Sequence, residues 1–233
     1  MRLVCLPYAG GSATLFQDWQ ADVVEAIEIV PAQPPGRRER AAEDPHVGAG
    51  SMAQELCDAL APLLDRPLAL FGVSMGALVA FECAHRLAAA GVPPQHLFVA
   101  SYPAPHLPST RPPVHGRGDA DVLAVLAQIN GGAATALADG ELRQLLLPTI
   151  RADFAVTETY VYAQRPALDV PLTMLRGRDD ASLSPAAAAA WAAETSRSFQ
   201  LVELAGGHLF LHDARAALLG VVSARLGYGA QQC

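Results

Sequence analysis

The five residues Gly72-Val73-Ser74-Met75-Gly76 have the spacing that presents a nucleophilic hydroxyl. They lie within PLALFGVSMGALVAFE, Pro67 to Glu82, where an apolar run leads in and helical spacing leads out. A strand-to-helix turn this tight leaves no room for side chains at the two glycines and forces the serine into a strained backbone with its hydroxyl outward. The helix start also sets free N–H groups and the positive end of the dipole beside any negative charge that develops there. A serine hydroxyl at its free pKa is a weak nucleophile, so this chemistry demands a base and an acid, in the chain order Ser, then Asp or Glu, then His.

Both partners have candidates in suitable places. His208 stands in AGGHLFLHD, just past an apolar run ending at Leu204, with Gly206 and Gly207 letting the loop bend back. His212 is the alternative, but it is expected one turn into the next helix, whereas a loop histidine can reach the serine. For the acid, PLTMLRG is followed at once by Arg178-Asp179-Asp180. The Gly-x-x-Asp spacing favours Asp180, with Asp179 then paired to an arginine or capping the turn. No Asp or Glu occurs between Glu82 and Asp119, so the position after the preceding strand offers no acid. Acyl transfer also needs two N–H groups for an oxyanion, expected from the residue after the nucleophile, Met75, and from Ala9 in LPYAGGSA.

These residues need elements to hold them. Nearly continuous apolar runs at 2–6, 68–73, 97–101, 171–175 and 199–204, with a weaker one at 27–31, predict buried parallel strands. Helical spacing is read over 14–26, 51–64, 76–90, 185–197 and 211–226. That alternation predicts the α/β class: a doubly wound, mostly parallel sheet of the α/β-hydrolase fold. Between 102 and 169 a proline-rich loop leads into helical patterns near 119–129 and 139–163, with no strand. We expect one domain, 1–233, with this stretch inserted as a helical lid over the carboxyl end of the sheet.

Composition bounds the function. A formal charge of −7 argues against non-specific binding to nucleic acid or an anionic membrane, both of which need a basic face. All 16 basic residues are arginine. Cys5, Cys57, Cys83 and Cys233 form no CxxC pair, so neither a zinc site nor a disulfide framework is expected. No run is read as a signal peptide or as a bilayer span, and a cytoplasmic protein is expected.

Together the motifs LPYAGGSA (6–13), QPPGRRER (33–40), LFGVSMGALVAFE (70–82), LPTIRADF (147–154), RGRDD (176–180) and GGHLFL (206–211) resemble, almost end to end, the type II or editing thioesterases of polyketide and non-ribosomal peptide synthases. The resemblance implies a catalytic triad of Ser74, Asp180 and His208, an oxyanion hole from the Met75 and Ala9 N–H groups, and a flexible lid over 102–169. It implies no cofactor and no metal. The implied substrate is an acyl thioester on the phosphopantetheine arm of an acyl or peptidyl carrier protein, which is then also a partner. Such carriers are acidic, and Arg37, Arg38, Arg40, Arg165 and Arg178 are the candidate docking charges. Three positions depart from the pattern: Val73 where histidine is usual, Pro35 for leucine, and Ala181 for proline. A small-molecule carboxylesterase, an acyltransferase or cyclase using the same triad, and a non-catalytic carrier-binding module are the competing readings.

Overall fold

The computed structural model describes residues 1–129, 137 and 139–228. Six strands form one sheet: β1 (Arg2–Leu6), β2 (Glu28–Pro31), β3 (Leu68–Val73), β4 (Leu97–Ala100), β5 (Leu172–Gly177) and β6 (Phe199–Leu204). Their spatial order is β2-β1-β3-β4-β5-β6 and every pairing is parallel. The chain steps from β1 outward to β2, then crosses back over β1 to β3. The carboxyl ends of β1 and β3 therefore flank the point where the winding reverses, which is where an open α/β sheet leaves a crevice.

Helices α1 (Ala49–Leu60) and α2 (Met75–Ala89) cover one face, and α6 (Arg215–Arg225) covers the other. Strand residues alternate between two cores. Val4, Leu70, Val99 and Met174 face α1 and α2, whereas Leu3, Phe71, Phe98 and Leu175 face Phe16, Trp19, Phe210 and α6. Because both faces are covered, the strands read as continuous apolar runs and not as alternating ones. The predicted strands lie within a residue or two of the observed ones.

The helices differ more. Residues 14–26, expected as a helix, form two 3-10 turns, Ala13–Phe16 and Trp19–Asp22. Their apolar spacing serves Phe16 and Trp19, whose rings meet at 4.8 Å and wedge against Phe71. An i, i+3 repeat fits a 3-10 turn as well as an α-helix. Residues 185–197 likewise split into α5 (Pro185–Ala189) and a 3-10 turn, Ala190–Glu194, that buries Trp191.

Between β4 and β5 lie α3 (Asp119–Ile129) and α4 (Gly140–Glu158), the latter capped by the Asp139 carboxylate on the Glu141 and Leu142 N–H groups. Val114, Val122, Leu126, Leu147, Ile150 and Phe154 give this stretch a small core of its own. Two buried carboxylates on the body hold its ends. Glu82 on α2 accepts from Tyr160 at 2.6 Å and from Arg165. Glu194 meets His106 at 2.5 Å and accepts from Tyr162 at 3.1 Å.

Cys57 and Cys83, separated by 26 residues in the chain, are brought together across the α1–α2 contact as free thiols, with Sγ atoms 3.1 Å apart. Their spacing in the sequence gave no hint of this pairing. Among the described residues no helix is long and apolar enough to cross a membrane.

Candidate active site

Ser74 follows the last residue of β3 and caps α2 with φ 54° and ψ −117°. Such a backbone costs on the order of 1–3 kcal/mol and persists only where the surroundings enforce it. Here they do. A Cβ on Gly72 would lie 2.1 Å from the Gly76 carbonyl oxygen, and one on Gly76 would lie 2.4 Å from that of Leu6. The elbow is pressed against both its own helix and β1, so neither position admits a side chain. The Ser74 N–H is held by the Ala100 carbonyl at 2.8 Å, which ties the turn to the end of β4.

The structure brings three of the sequence-derived residues into one chain of hydrogen bonds. His208 Nε2 lies 3.1 Å from Ser74 Oγ, and His208 Nδ1 lies 2.9 Å from Asp180 Oδ2. The tautomer with hydrogen on Nδ1 satisfies both contacts: Nδ1–H donates to the carboxylate and Nε2 accepts the serine O–H. Asp180 is 2 % exposed. Burial pushes its carboxyl up, but hydrogen bonds from His208 and Ser182 outweigh that and hold it net below the ordinary carboxylate value. It is therefore ionised at neutral pH.

Asp179, the neighbouring candidate, is exposed, and only its backbone N–H is engaged, with the Gly206 carbonyl. The arginine pairing or turn cap expected of it is not formed among the described residues. His212 sits in a turn ahead of α6, not inside the helix, and its Nε2 is 3.4 Å from the Tyr8 hydroxyl. Two serines escaped the reading of the sequence. Ser182 donates its N–H and O–H to Asp180 Oδ1 at 2.9 and 2.6 Å, and its Oγ lies 3.0 Å from His208 Nδ1. Ser101, also at positive φ, donates to the His208 carbonyl at 2.6 Å and so fixes the loop that carries the base. Its position at the carboxyl end of β4, where no acid was found, was the one available signal.

Met75 is the first residue of α2, so its N–H has no acceptor within the helix. Ala9 lies in the loop after β1. Among the described residues neither N–H is spent on another group of the protein. A cavity of about 210 Å³ reaches Met75 and Gly76 from between β1, β2 and α1. Val30, Met52, Leu60 and Val79 give it apolar walls, and Arg40, His46 and Glu55, paired with one another, form its polar side.

The candidate docking arginines divide sharply. Arg37 is buried against Asp153, Arg165 is tied to Glu82, and Arg40 is paired with Glu43 and Glu55. The charge of each of those three is met by a carboxylate within the molecule. Arg38 and Arg178 remain exposed. Among the described residues no group of three or more His, Cys, Asp and Glu is placed to hold a metal ion.

Residues 1–226 match the model of the thioesterase domain family. Among solved structures, the type II thioesterase BorB from the borrelidin biosynthetic cluster is 39% identical, with a TM-score of 0.89 over 97% of this chain and 92% of that one. The RedJ thioesterase of the prodiginine pathway in Streptomyces coelicolor is 37% identical, with a TM-score of 0.89 over 96% and 85%. A third relative, Linear gramicidin dehydrogenase LgrE of Brevibacillus parabrevis, is 39% identical over 94% of this chain and 85% of that one. Its name describes another reaction, but the family model that spans this chain is that of a thioesterase. The sheet, the near-complete coverage and the family match lead to one conclusion: this chain belongs to the thioesterase family of the α/β-hydrolase fold, among the type II thioesterases of polyketide and non-ribosomal peptide biosynthesis.

Proposed function

We propose that the chain hydrolyses acyl thioesters carried on the phosphopantetheine arm of acyl or peptidyl carrier proteins, removing aberrant groups or releasing product, with Ser74, His208 and Asp180 as its catalytic triad. The observation that carries this reading is the hydrogen-bonded chain from Ser74 Oγ through the His208 ring to Asp180, in a member of the thioesterase family. His208 Nε2 takes the serine proton as Oγ attacks the thioester carbonyl, and the N–H groups of Met75 and Ala9 hold the oxyanion. The ionised Asp180 stabilises the imidazolium that forms. Collapse of the tetrahedral adduct breaks the C–S bond, and His208 returns the proton to the departing thiolate. Water, deprotonated by the same nitrogen, then attacks the acyl-serine, and the products are a free acid and the free thiol. No step calls for a metal or an organic cofactor.

In this reading 102–169 is a lid on one domain spanning 1–233. The cavity takes the acyl chain, since Met75, one of the proposed oxyanion donors, lines it and most of its walls are apolar. The carrier docks through Arg38 and Arg178, the candidates that form no ion pair among the described residues. The setting proposed is cytoplasmic.

The test is to incubate the protein and its Ser74→Ala variant with acetyl- or propionyl-loaded carrier protein and follow the mass of the carrier. Serine-dependent release of the free acid is expected. An intact carrier beside rapid cleavage of small esters would replace this reading with that of a carboxylesterase.

A further inference from the structure

The most deeply buried carboxylate outside the Ser74 site belongs to α4. The Asp153 side chain is wholly inaccessible and its partner Arg37 nearly so. Arg37 meets it side by side, with Nη2 on Oδ1 at 2.6 Å and Nη1 on Oδ2 at 2.7 Å. Asp153 Oδ2 also accepts the backbone N–H of Gly10 at 2.6 Å, and Arg37 Nη1 donates to the Gly11 carbonyl at 2.9 Å. One turn earlier on α4, the Thr149 hydroxyl donates to the Gly36 carbonyl at 2.9 Å. The peptide group joining Ala9 to Gly10 and the one that follows Gly11 are thus gripped by one ion pair, and that pair is reached from the inserted helix.

The geometry matters because a backbone N–H can be aimed only by fixing the peptides around it. The Tyr8–Gly11 loop closes on itself with a single bond, from the Gly11 N–H to the Tyr8 carbonyl at 2.8 Å. Two glycines in succession make it conformationally permissive. An oxyanion donor displaced by even an ångström loses much of its value, since its contribution depends on alignment settled before the reaction. Burying a complete ion pair is a poor way to add stability, whereas its planar fork fixes the direction of the groups that it holds.

We infer that Asp153 is a positioning residue: through the Gly10 N–H and the Arg37-held Gly11 carbonyl it aims the Ala9 N–H at the oxyanion, which makes α4 part of the scaffold of the hole. This rests on the reading of Ala9 as the second donor. A lid helix seated on the body then completes the hole, and one drawn away leaves it incomplete.

Asp153→Asn keeps the shape of the side chain and removes its charge. It should lower kcat by about 100-fold with KM within about threefold. Affinity for a boronic acid that forms a tetrahedral adduct on Ser74 should fall by the same factor, about 2.7 kcal/mol, while a thioether analogue of the acyl carrier arm binds as before. Arg37→Lys, which keeps the charge and loses the fork, should give a smaller effect of the same kind, and it serves as the measurement should Asp153→Asn not fold. An amide-to-ester replacement that removes only the Ala9 N–H separates the two readings. If the ester alone leaves kcat intact, Ala9 is not a donor and the inference falls with it. If the ester slows turnover but Asp153→Asn and Arg37→Lys do not, Ala9 stands and the Asp153 role is wrong. A further loss when Asp153→Asn is added to the ester protein shows that Asp153 acts by another route and overturns the inference. No further loss supports it.

Discussion

Ser74 occupies a strained backbone whose purpose is exposure, and the partners behind it differ in how replaceable they are. In the proposed triad Asp180 selects the Nδ1–H tautomer of His208, so Asp180→Asn, which can donate where the carboxylate only accepts, should reverse that preference and lower kcat by about 10⁴-fold. Asp179→Asn, one residue away on the solvent side, should stay within about threefold of the parent. Steady-state rates on one loaded carrier rank the pair, and the opposite ranking would move the acid by one position. The spacing of the chain pointed to Asp180 over Asp179 and to His208 over His212, and the structure sets His208 beside Ser74 and Asp180 beside His208. Ser182 was not legible, because a serine two residues beyond an acid is commonplace in a loop. Only the fold makes it donate to Asp180 Oδ1 and stand beside the His208 ring.

At the scale of elements, the strands were readable and the helices were overcounted. Burial on both faces makes a parallel strand conspicuous in a sequence, whereas an i, i+3 apolar pair such as Phe16 and Trp19 does not say whether its turn continues. α1 bears on function through the cavity it shares with β2 and the start of α2. Leu56, half-buried on α1, lines that cavity, and Leu56→Trp adds bulk to a space of about 210 Å³ without cutting into the closed core. We expect kcat/KM for octanoyl carrier to fall by about tenfold, with acetyl carrier within about twofold. An equal loss for both chain lengths would mean that the acyl group lies elsewhere.

For the whole molecule, charge and burial set two further expectations. With a net charge of −7, any attraction of an acidic carrier must be local, and exposed Arg38 and Arg178 are the candidates not consumed by ion pairs among the described residues. Reversing both, Arg38→Glu with Arg178→Glu, should raise KM for carrier-bound substrate by about tenfold at low salt and leave a free pantetheine thioester unaffected. Equal effects on the two substrates would remove the docking role. Stability should also depend on pH. Burial pushes His96, 6 % exposed and stacked on Phe98, down to about 4. The unfolded chain then binds more protons than the folded one between about pH 6.5 and 4. Stability is complete above that window and declines as pH falls through it, by roughly 3 kcal/mol for this residue when the window is crossed. Denaturant titrations at pH 7 and pH 5 should show the decline begin, and His96→Gln should reduce it. What the sequence determined by itself was local: the elbow, whose Gly72 is demanded by the Gly76 carbonyl four residues on, the chain order of the candidate nucleophile, acid and base, and the family its motifs share. What only tertiary structure decided was everything joining distant segments. The Arg37–Asp153 pair spans 116 residues, turns a supposed docking arginine into a buried clamp, and couples an inserted helix to the loop after β1. No periodicity or spacing encodes such a contact, because the free energy that fixes it comes from burial shared among elements that meet only when the sheet has formed.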